Sequence, residues 1–68
     1  MSHCRVSRWM RNELALHAED WSECGEIQCT QLAEAAADEF DLYVGDNYEI
    51  PDWVFDLAVE AAEWLEGP

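Results

Sequence analysis

Apolar residues near the start of the chain recur at three- and four-residue intervals, the spacing that places them on one face of an α-helix. Val6, Met10 and Leu14 follow this spacing, and Leu16 widens the apolar stripe. The polar residues between them would lie on the opposite, solvated face of the helix. This pattern predicts a first helix over about residues 3–20.

A second stretch with helical periodicity follows a short break at residues 22–25. Leu32, Ala36 and Phe40 lie four residues apart and therefore share one face of a helix. Several alanines accompany them, and alanine has the highest helix propensity of any residue. The pattern predicts a second helix over about residues 30–40.

The segment after the second helix has the composition of a tight turn, because glycine, aspartate and asparagine follow one another at Gly45–Asn47. Residues that favour strands flank this turn, so a short hairpin can form over residues 43–50. Pro51 then suits the first position of a helix, where its missing N–H needs no partner. These signals predict a third helix over about residues 51–65, ended by Gly67.

Three helices joined by short turns predict an all-α protein, a compact three-helix bundle with an up-down-up order. A chain of 68 residues suffices for one domain with a small core, so residues 1–68 are expected to form a single acidic helical domain. The chain has neither an apolar run of membrane-spanning length nor the apolar segment of a secretory signal. We therefore expect no membrane association and a cytoplasmic location.

The charge of the chain is extreme and unevenly distributed. There are 16 acidic residues against three basic ones, which gives a formal net charge of −13. The basic residues are Arg5, Arg8 and Arg11, so no lysine or arginine occurs after the first 11 residues. A surface of this sign repels nucleic acids and anionic lipids, which excludes direct nucleic-acid binding, and it suits a basic partner.

The acids of the third predicted helix fall together on one side, opposite the apolar residues Val54, Leu57 and Ala61. At a rise of about 1.5 Å per residue, successive carboxylates are about 4.5–6 Å apart along the axis. These candidate partner-binding residues are Asp52, Asp56, Glu60 and Glu63. Acids of the second helix and the loop after it extend the candidate surface, namely Glu34, Asp38, Asp41, Asp46 and Glu49.

An acidic surface without bases needs an explanation, because like charges at i and i+4 destabilise a helix by roughly 0.2–0.5 kcal/mol per pair. Three explanations remain open. The row of carboxylates can imitate DNA phosphates and fill a cationic groove. The chain can be adapted to very high salt, a solvent in which acidic, lysine-poor proteins are common. It can also be the acidic subunit of an assembly whose other subunit is basic.

In its small size, its lack of lysine and its rows of carboxylates over residues 13–66, the chain resembles phage-encoded DNA mimics, among them anti-CRISPR proteins. The resemblance lies in the charge pattern and not in a shared sequence motif. It implies a protein that occupies the duplex-binding or PAM-reading channel of a CRISPR–Cas surveillance complex and blocks target DNA. It further implies a basic partner, a Cas subunit or another DNA-binding protein, in the cytoplasm of a bacterial host. We expect a monomer rather than a dimer.

The sequence offers little for catalysis or cofactor binding, since it contains no nucleophile motif and no glycine-rich phosphate loop. The spacing of Cys24 and Cys29 is looser than that of a zinc knuckle, and no second cysteine pair exists. Asp41–Asp52 has the length of a calcium loop but places Tyr43 and Gly45 at ligand positions. We therefore expect a non-enzymatic protein without a cofactor or metal. The residues considered as zinc ligands and set aside are His3, Cys4, His17, Cys24 and Cys29.

The arginines lie near the start of the first predicted helix, where positive charge opposes the helix dipole. In an up-down-up bundle this end lies beside the end of the second helix, which carries Asp38, Glu39 and Asp41. We therefore predict arginine–carboxylate contacts between these two ends, which would leave the acids of the third helix free for a partner. Trp53 and Trp64 flank those acids and are expected to pack at the edge of the core.

Overall fold

The structure is a computed structural model and describes residues 3–67. Its elements are, in chain order, α1 (His3–His17), a 3₁₀ turn (Ala18–Trp21), β1 (Ser22–Glu23), β2 (Glu26–Ile27), α2 (Cys29–Phe40) and α3 (Asp52–Glu66). The three predicted helices are confirmed. The all-α prediction is wrong, because β1 and β2 form a small antiparallel sheet between the first two helices.

The hairpin occupies the break that the sequence predicted after the first helix. β1 pairs with β2 in the register that places Ser22 opposite Ile27. The two-residue loop between the strands is Cys24-Gly25, and both residues have positive φ, 55° and 84°. Positive φ at both loop residues is the signature of a type I′ turn, whose twist matches that of paired strands. The usual residues at the first position are asparagine, aspartate and glycine, so the cysteine at this position did not indicate a hairpin.

α1 ends at His17, earlier than predicted, and the backbone then tightens into the 3₁₀ turn. Ser22 Oγ donates a hydrogen bond of 2.7 Å to the carbonyl of Ala18, which secures this turn. The periodicity also misplaced Leu16, whose side chain is 74% exposed. The reason is that residues two apart on a helix do not share a face, so Leu16 points away from the stripe to which Leu14 belongs.

Contacts between helix ends show that the bundle has the predicted up-down-up order. The ring of His3, at the start of α1, stacks on Trp53, at the start of α3, with the ring centroids 3.9 Å apart. The start of α1 also meets the end of α2, where the guanidinium carbon of Arg5 lies 5.9 Å from the centroid of the Phe40 ring. α1 and α3 therefore run in the same direction, and α2 runs opposite to both.

The core lies between the three helices and combines larger side chains on α1 with small ones on α2 and α3. Val6, Met10 and Leu14 are fully buried on α1, as is Leu32 on α2. The remaining helical core is largely alanine, which lets neighbouring backbones approach closely and restricts the loss of side-chain entropy. These core alanines are Ala33, Ala36, Ala37, Ala58 and Ala61.

The end of α2 explains how the chain turns towards α3 without a glycine. Asp41 adopts the left-handed conformation with φ 55°. The next N–H, that of Leu42, donates a 2.9 Å hydrogen bond to the carbonyl of Ala37. This is the six-to-one bond of a Schellman motif, and the accompanying apolar contact comes from Leu42, which is buried. The motif stops α2 at Phe40 and anchors the following loop to the core.

The loop between α2 and α3 contains a single bridge in place of the short hairpin considered over residues 43–50. Val44 and Glu49 exchange two backbone hydrogen bonds of 2.8 and 2.9 Å. Four residues separate them, and the first and last of these, Gly45 and Tyr48, have positive φ. The predicted turn is therefore present, but it closes on one pair of residues and not on paired strands.

Candidate partner-binding surface

The outward face of α3 carries a row of four acids that we call the acidic ridge: Asp52, Asp56, Glu60 and Glu63. All four side chains are exposed. The opposite face of the helix is anchored in the core by Val54, Ala58 and Ala61, so the amphipathic pattern of α3 alone sets the direction in which the ridge points.

The acidic ridge is straight and closely spaced. Its steps of four, four and three residues correspond to about 6, 6 and 4.5 Å along the axis, and its whole length is about 16 Å. Asp52 lies in the first turn of α3, where the helix dipole favours a negative charge. Glu63 lies near the opposite end, where the dipole disfavours it, so the ridge is held in place by the packing of α3 and not by favourable local electrostatics.

No cation of the described chain neutralises the ridge. The ion pair found within residues 3–67 lies at the end of α1, where His17 Nδ1 and Asp20 Oδ2 are 3.9 Å apart. The ridge carboxylates therefore face solvent without a positive partner, and their mutual repulsion is unrelieved. Docking against a cationic surface would relieve it.

The predicted contacts between the arginines and the acids at the end of α2 are wrong. Arg5 lies over the face of the Phe40 ring, and Arg11 Nη2 donates a 2.8 Å hydrogen bond to Ser7 Oγ on its own helix. The two helix ends do meet as expected, but Asp38 and Asp41 are exposed and the aromatic ring takes the position nearest to Arg5. A cation over an aromatic face is a favourable contact that needs no carboxylate.

The predicted extension of the ridge divides between two parts of the fold. Its helical members lie on the exposed side of α2, and the others lie in the loop that joins α2 to α3. Because that loop leads directly into Asp52, the loop acids connect the two helical sets around one end of the bundle. All extension side chains are exposed, and they are Glu34, Asp38, Asp41, Asp46 and Glu49.

A groove between α1 and α3 is the feature that the sequence analysis missed. It has a volume of about 530 Å³ and is lined by side chains of both helices. Trp64 forms part of it and is 52% exposed, whereas we expected this residue to pack at the core edge. Trp53 does pack there, partly buried beneath His3. Its lining residues include Ser7, Arg8, Arg11, Leu57 and Trp64.

The cysteines lie in separate parts of the fold. Cys24 is exposed in the hairpin turn, and Cys29 is partly buried at the start of α2, where its Sγ donates to the carbonyl of Ala58 at 3.9 Å. Burial, followed by the nearby carboxylates of Glu66 and Glu63, raises the pKa of the Cys29 thiol above its ordinary value. This group therefore stays protonated at neutral pH. No cluster of three or more histidines, cysteines and acids suited to a metal ion occurs within residues 3–67.

None of the helices within residues 3–67 has the length and apolar character needed to cross a membrane. Comparison of the chain with protein-family models, with curated proteins and with solved structures gave no significant match.

Proposed function

We propose that the chain acts by imitating double-stranded DNA, and that it inhibits a DNA-binding complex by filling the cationic channel of that complex. The observation that carries the proposal is the acidic ridge, a straight row of exposed carboxylates that form no ion pair within residues 3–67. Basic side chains in a DNA channel are placed to meet successive phosphates, and carboxylates held on a rigid helix offer them the same charge without base pairs to read.

The dimensions of the ridge support this proposal. A DNA strand carries one phosphate per roughly 3.4 Å of helix axis, so the ridge, about 16 Å long, spans about five phosphate steps. Four carboxylates over that length give a charge density somewhat below that of one strand. The acids of the connecting loop continue the negative charge from the start of the ridge towards the end of α2.

Because the molecule is small, a stable interface with the complex would use a large share of its surface. Its accessible surface is 4748 Å². A stable protein interface uses roughly 800 Å² on each side, about one sixth of this surface. The exposed face of one helix offers less area than such an interface needs. Docking therefore has to include the loop acids and the side chains beside the ridge as well. Attraction between the acidic surface and a basic channel would speed association, and this effect would weaken as the salt concentration rises.

The inhibited complex of our proposal is a CRISPR–Cas surveillance complex whose duplex-binding or PAM-reading channel is blocked. That channel is a positively charged groove that reads DNA by its backbone and by a short motif. The proposal assigns the chain no catalytic role.

The test is competition with DNA. The immobilised chain is incubated with bacterial lysate at low salt, and bound protein is eluted either with duplex DNA or with polyglutamate of matched charge concentration. We expect a DNA-binding complex that duplex DNA releases at much lower concentration than polyglutamate does, because the ridge and the duplex would occupy the same channel. The purified complex should then lose target-DNA binding when the chain is added. Equal release by both polyanions, or captured proteins that still bind DNA in the presence of the chain, would contradict the proposal.

Adaptation to high salt is a second explanation of the charge, and the spread of acids over the whole chain after residue 11 favours it. Exposed acids occur on the hairpin and the 3₁₀ turn as well as on α2 and α3, for example Glu19, Glu23 and Glu26. A salt-adapted protein of this charge needs molar salt to fold, whereas an inhibitor must be folded at physiological salt.

We expect the chain to unfold cooperatively on heating in about 0.15 M salt, where the Debye length is about 8 Å. Far-UV circular dichroism during a thermal ramp, repeated in molar salt, provides the measurement. The reason is that the buried core and the close helix contacts outweigh the partly screened repulsion between surface acids. A chain that becomes helical only in molar salt would support salt adaptation and would contradict the inhibitor.

A further inference from the structure

The α1–α3 groove differs chemically from the rest of this acidic molecule. We propose that it binds a small organic anion that carries a single negative charge, such as a carboxylate or sulfonate, on an apolar body. This inference is independent of the proposed function, because no acid of the ridge lines the groove. Failure of one proposal would leave the other standing.

The groove is positively charged, in contrast to the rest of the surface. Every arginine of the chain lies on α1, and two of them, Arg8 and Arg11, line the groove. No aspartate or glutamate is among its lining residues, although 16 of the 68 residues of the chain are acidic. The groove is therefore the part of the described surface where an anion meets attraction from the nearest side chains.

One guanidinium of the groove is already held in place. Arg11 Nη2 donates a 2.8 Å hydrogen bond to Ser7 Oγ, and Ser7 is only 8% exposed, so the anchor lies at the bottom of the groove. A guanidinium has five N–H donors in a planar fork, and the bond to Ser7 leaves most of them for a bound carboxylate or sulfonate. Arg8 lies three residues earlier on the same side of α1, so both groups can contact the same anion.

The α3 side of the groove is apolar. Leu57 and the half-exposed indole of Trp64 line the α3 side of the groove. A ligand that covers the exposed indole buries apolar surface, which favours binding. The indole is also a flat surface on which an aromatic body can stack. The volume of about 530 Å³ lies within the range of roughly 300–1,000 Å³ that is typical of small-molecule sites.

The surroundings of the groove limit the charge of the ligand. Glu60 and Glu63 lie within one helical turn of Trp64, and both are exposed on the adjacent ridge. A ligand with one negative charge can place it between the arginines, but further charges would approach these carboxylates and be repelled. This arrangement favours monoanions over polyanions, and it disfavours a second copy of the chain, whose net charge is −13.

The probe for the test is anilinonaphthalene sulfonate, a fluorescent monoanion with an aromatic body, and its uncharged counterpart is phenylnaphthylamine. Titration of the folded chain with the sulfonate should show a single class of site at about one probe per chain. We expect Arg11→Gln and Arg8→Gln each to raise the Kd of the sulfonate by about tenfold, as loss of a charge-assisted hydrogen bond would. Neither substitution should change the Kd of phenylnaphthylamine by more than about twofold.

Arg5→Gln is the matched control, because it removes the same charge from the same helix but Arg5 lies over Phe40 and does not line the groove. We expect it to change the Kd of the sulfonate by less than about twofold. Naphthalene monosulfonate should displace the probe at lower concentration than naphthalene trisulfonate. Equal effects of Arg5→Gln and Arg11→Gln, stronger competition by the trisulfonate, or tight binding of the neutral probe alone would overturn the proposal. So would sedimentation that shows a dimer dissociated by Arg11→Gln, since a second copy would then occupy the groove.

Discussion

Reversal of Asp56 and Glu60 to lysine is expected to abolish inhibition of the DNA-binding complex while leaving the helical content of the chain unchanged. The two residues form the middle of the acidic ridge, so any channel that accepts the ridge contacts both. Two lysines there would place positive charge against the basic side chains of the channel, and like charges brought together across an interface cost several kcal/mol. Binding should fall by at least about 100-fold, which corresponds to about 2.8 kcal/mol.

The fold should tolerate these substitutions, because both side chains are exposed and neither contributes to the core. Lysine has a helix propensity close to that of glutamate and better than that of aspartate. The reversal also removes repulsion with the remaining ridge acids. Unchanged far-UV circular dichroism, together with a Tm at or above that of the wild type, would show that any loss of inhibition comes from the surface and not from unfolding.

A matched control separates the position of the charges from their total. Glu19 and Glu23 are exposed, on the 3₁₀ turn and the hairpin, and neither belongs to the ridge. Their double reversal to lysine changes the net charge from −13 to −9, just as the ridge reversal does. Neither side chain contributes to the core, so the fold should tolerate this double substitution as well.

The two double variants are compared in the same duplex-competition assay, each titrated against the purified complex. Only the ridge variant should fail to inhibit if a row of carboxylates is what the channel recognises. An equal loss in both variants would mean that bulk charge governs binding. Full inhibition by the ridge variant would remove the ridge from the interface.

The elements that could be predicted from the sequence are those set by strong local rules. α3 combines a proline at its start, a glycine at its end and a clear amphipathic period, and its ridge and core faces lie where those rules place them. The up-down-up order also follows from the short connections, which make consecutive helices antiparallel neighbours.

The features that escaped prediction depend on less usual residues or on tertiary contacts. Cys24 in a type I′ turn carries none of the ordinary sequence signal for that turn, so the hairpin was missed. The partners of Arg5 and Arg11 are not those that helix ends alone suggest: Arg5 lies over the Phe40 ring of α2, and Arg11 bonds the hydroxyl of Ser7 one turn earlier on its own helix. The groove likewise exists only once α1 and α3 pack side by side, since its lining comes from both helices.

The second large effect is expected in the core, where Leu14→Ala should destabilise the protein severely. Leu14 is fully buried and is the last residue of the apolar stripe of α1. Removal of a buried leucine side chain typically costs about 2–5 kcal/mol, from lost apolar burial and from the cavity that remains. At about 0.05–0.15 kcal/mol per residue, a domain of this length has only about 3–10 kcal/mol in total. The substitution should therefore remove a large part of the stability, and the alanines across the core are too short to fill the space.

Leu16→Ala provides the control, because it makes the same chemical change two residues later on a side chain that is 74% exposed. Surface substitutions of this kind usually alter the free energy of unfolding by no more than about 0.5 kcal/mol. For a domain of this size each kcal/mol shifts Tm by roughly 4–8 °C, so the two variants should differ in Tm by at least about 6 °C. Thermal and urea unfolding, followed by circular dichroism, measure the difference. Similar Tm values for the two variants would mean that Leu14 does not face the core. They would therefore contradict the packing of α1 against α3 that orients the ridge.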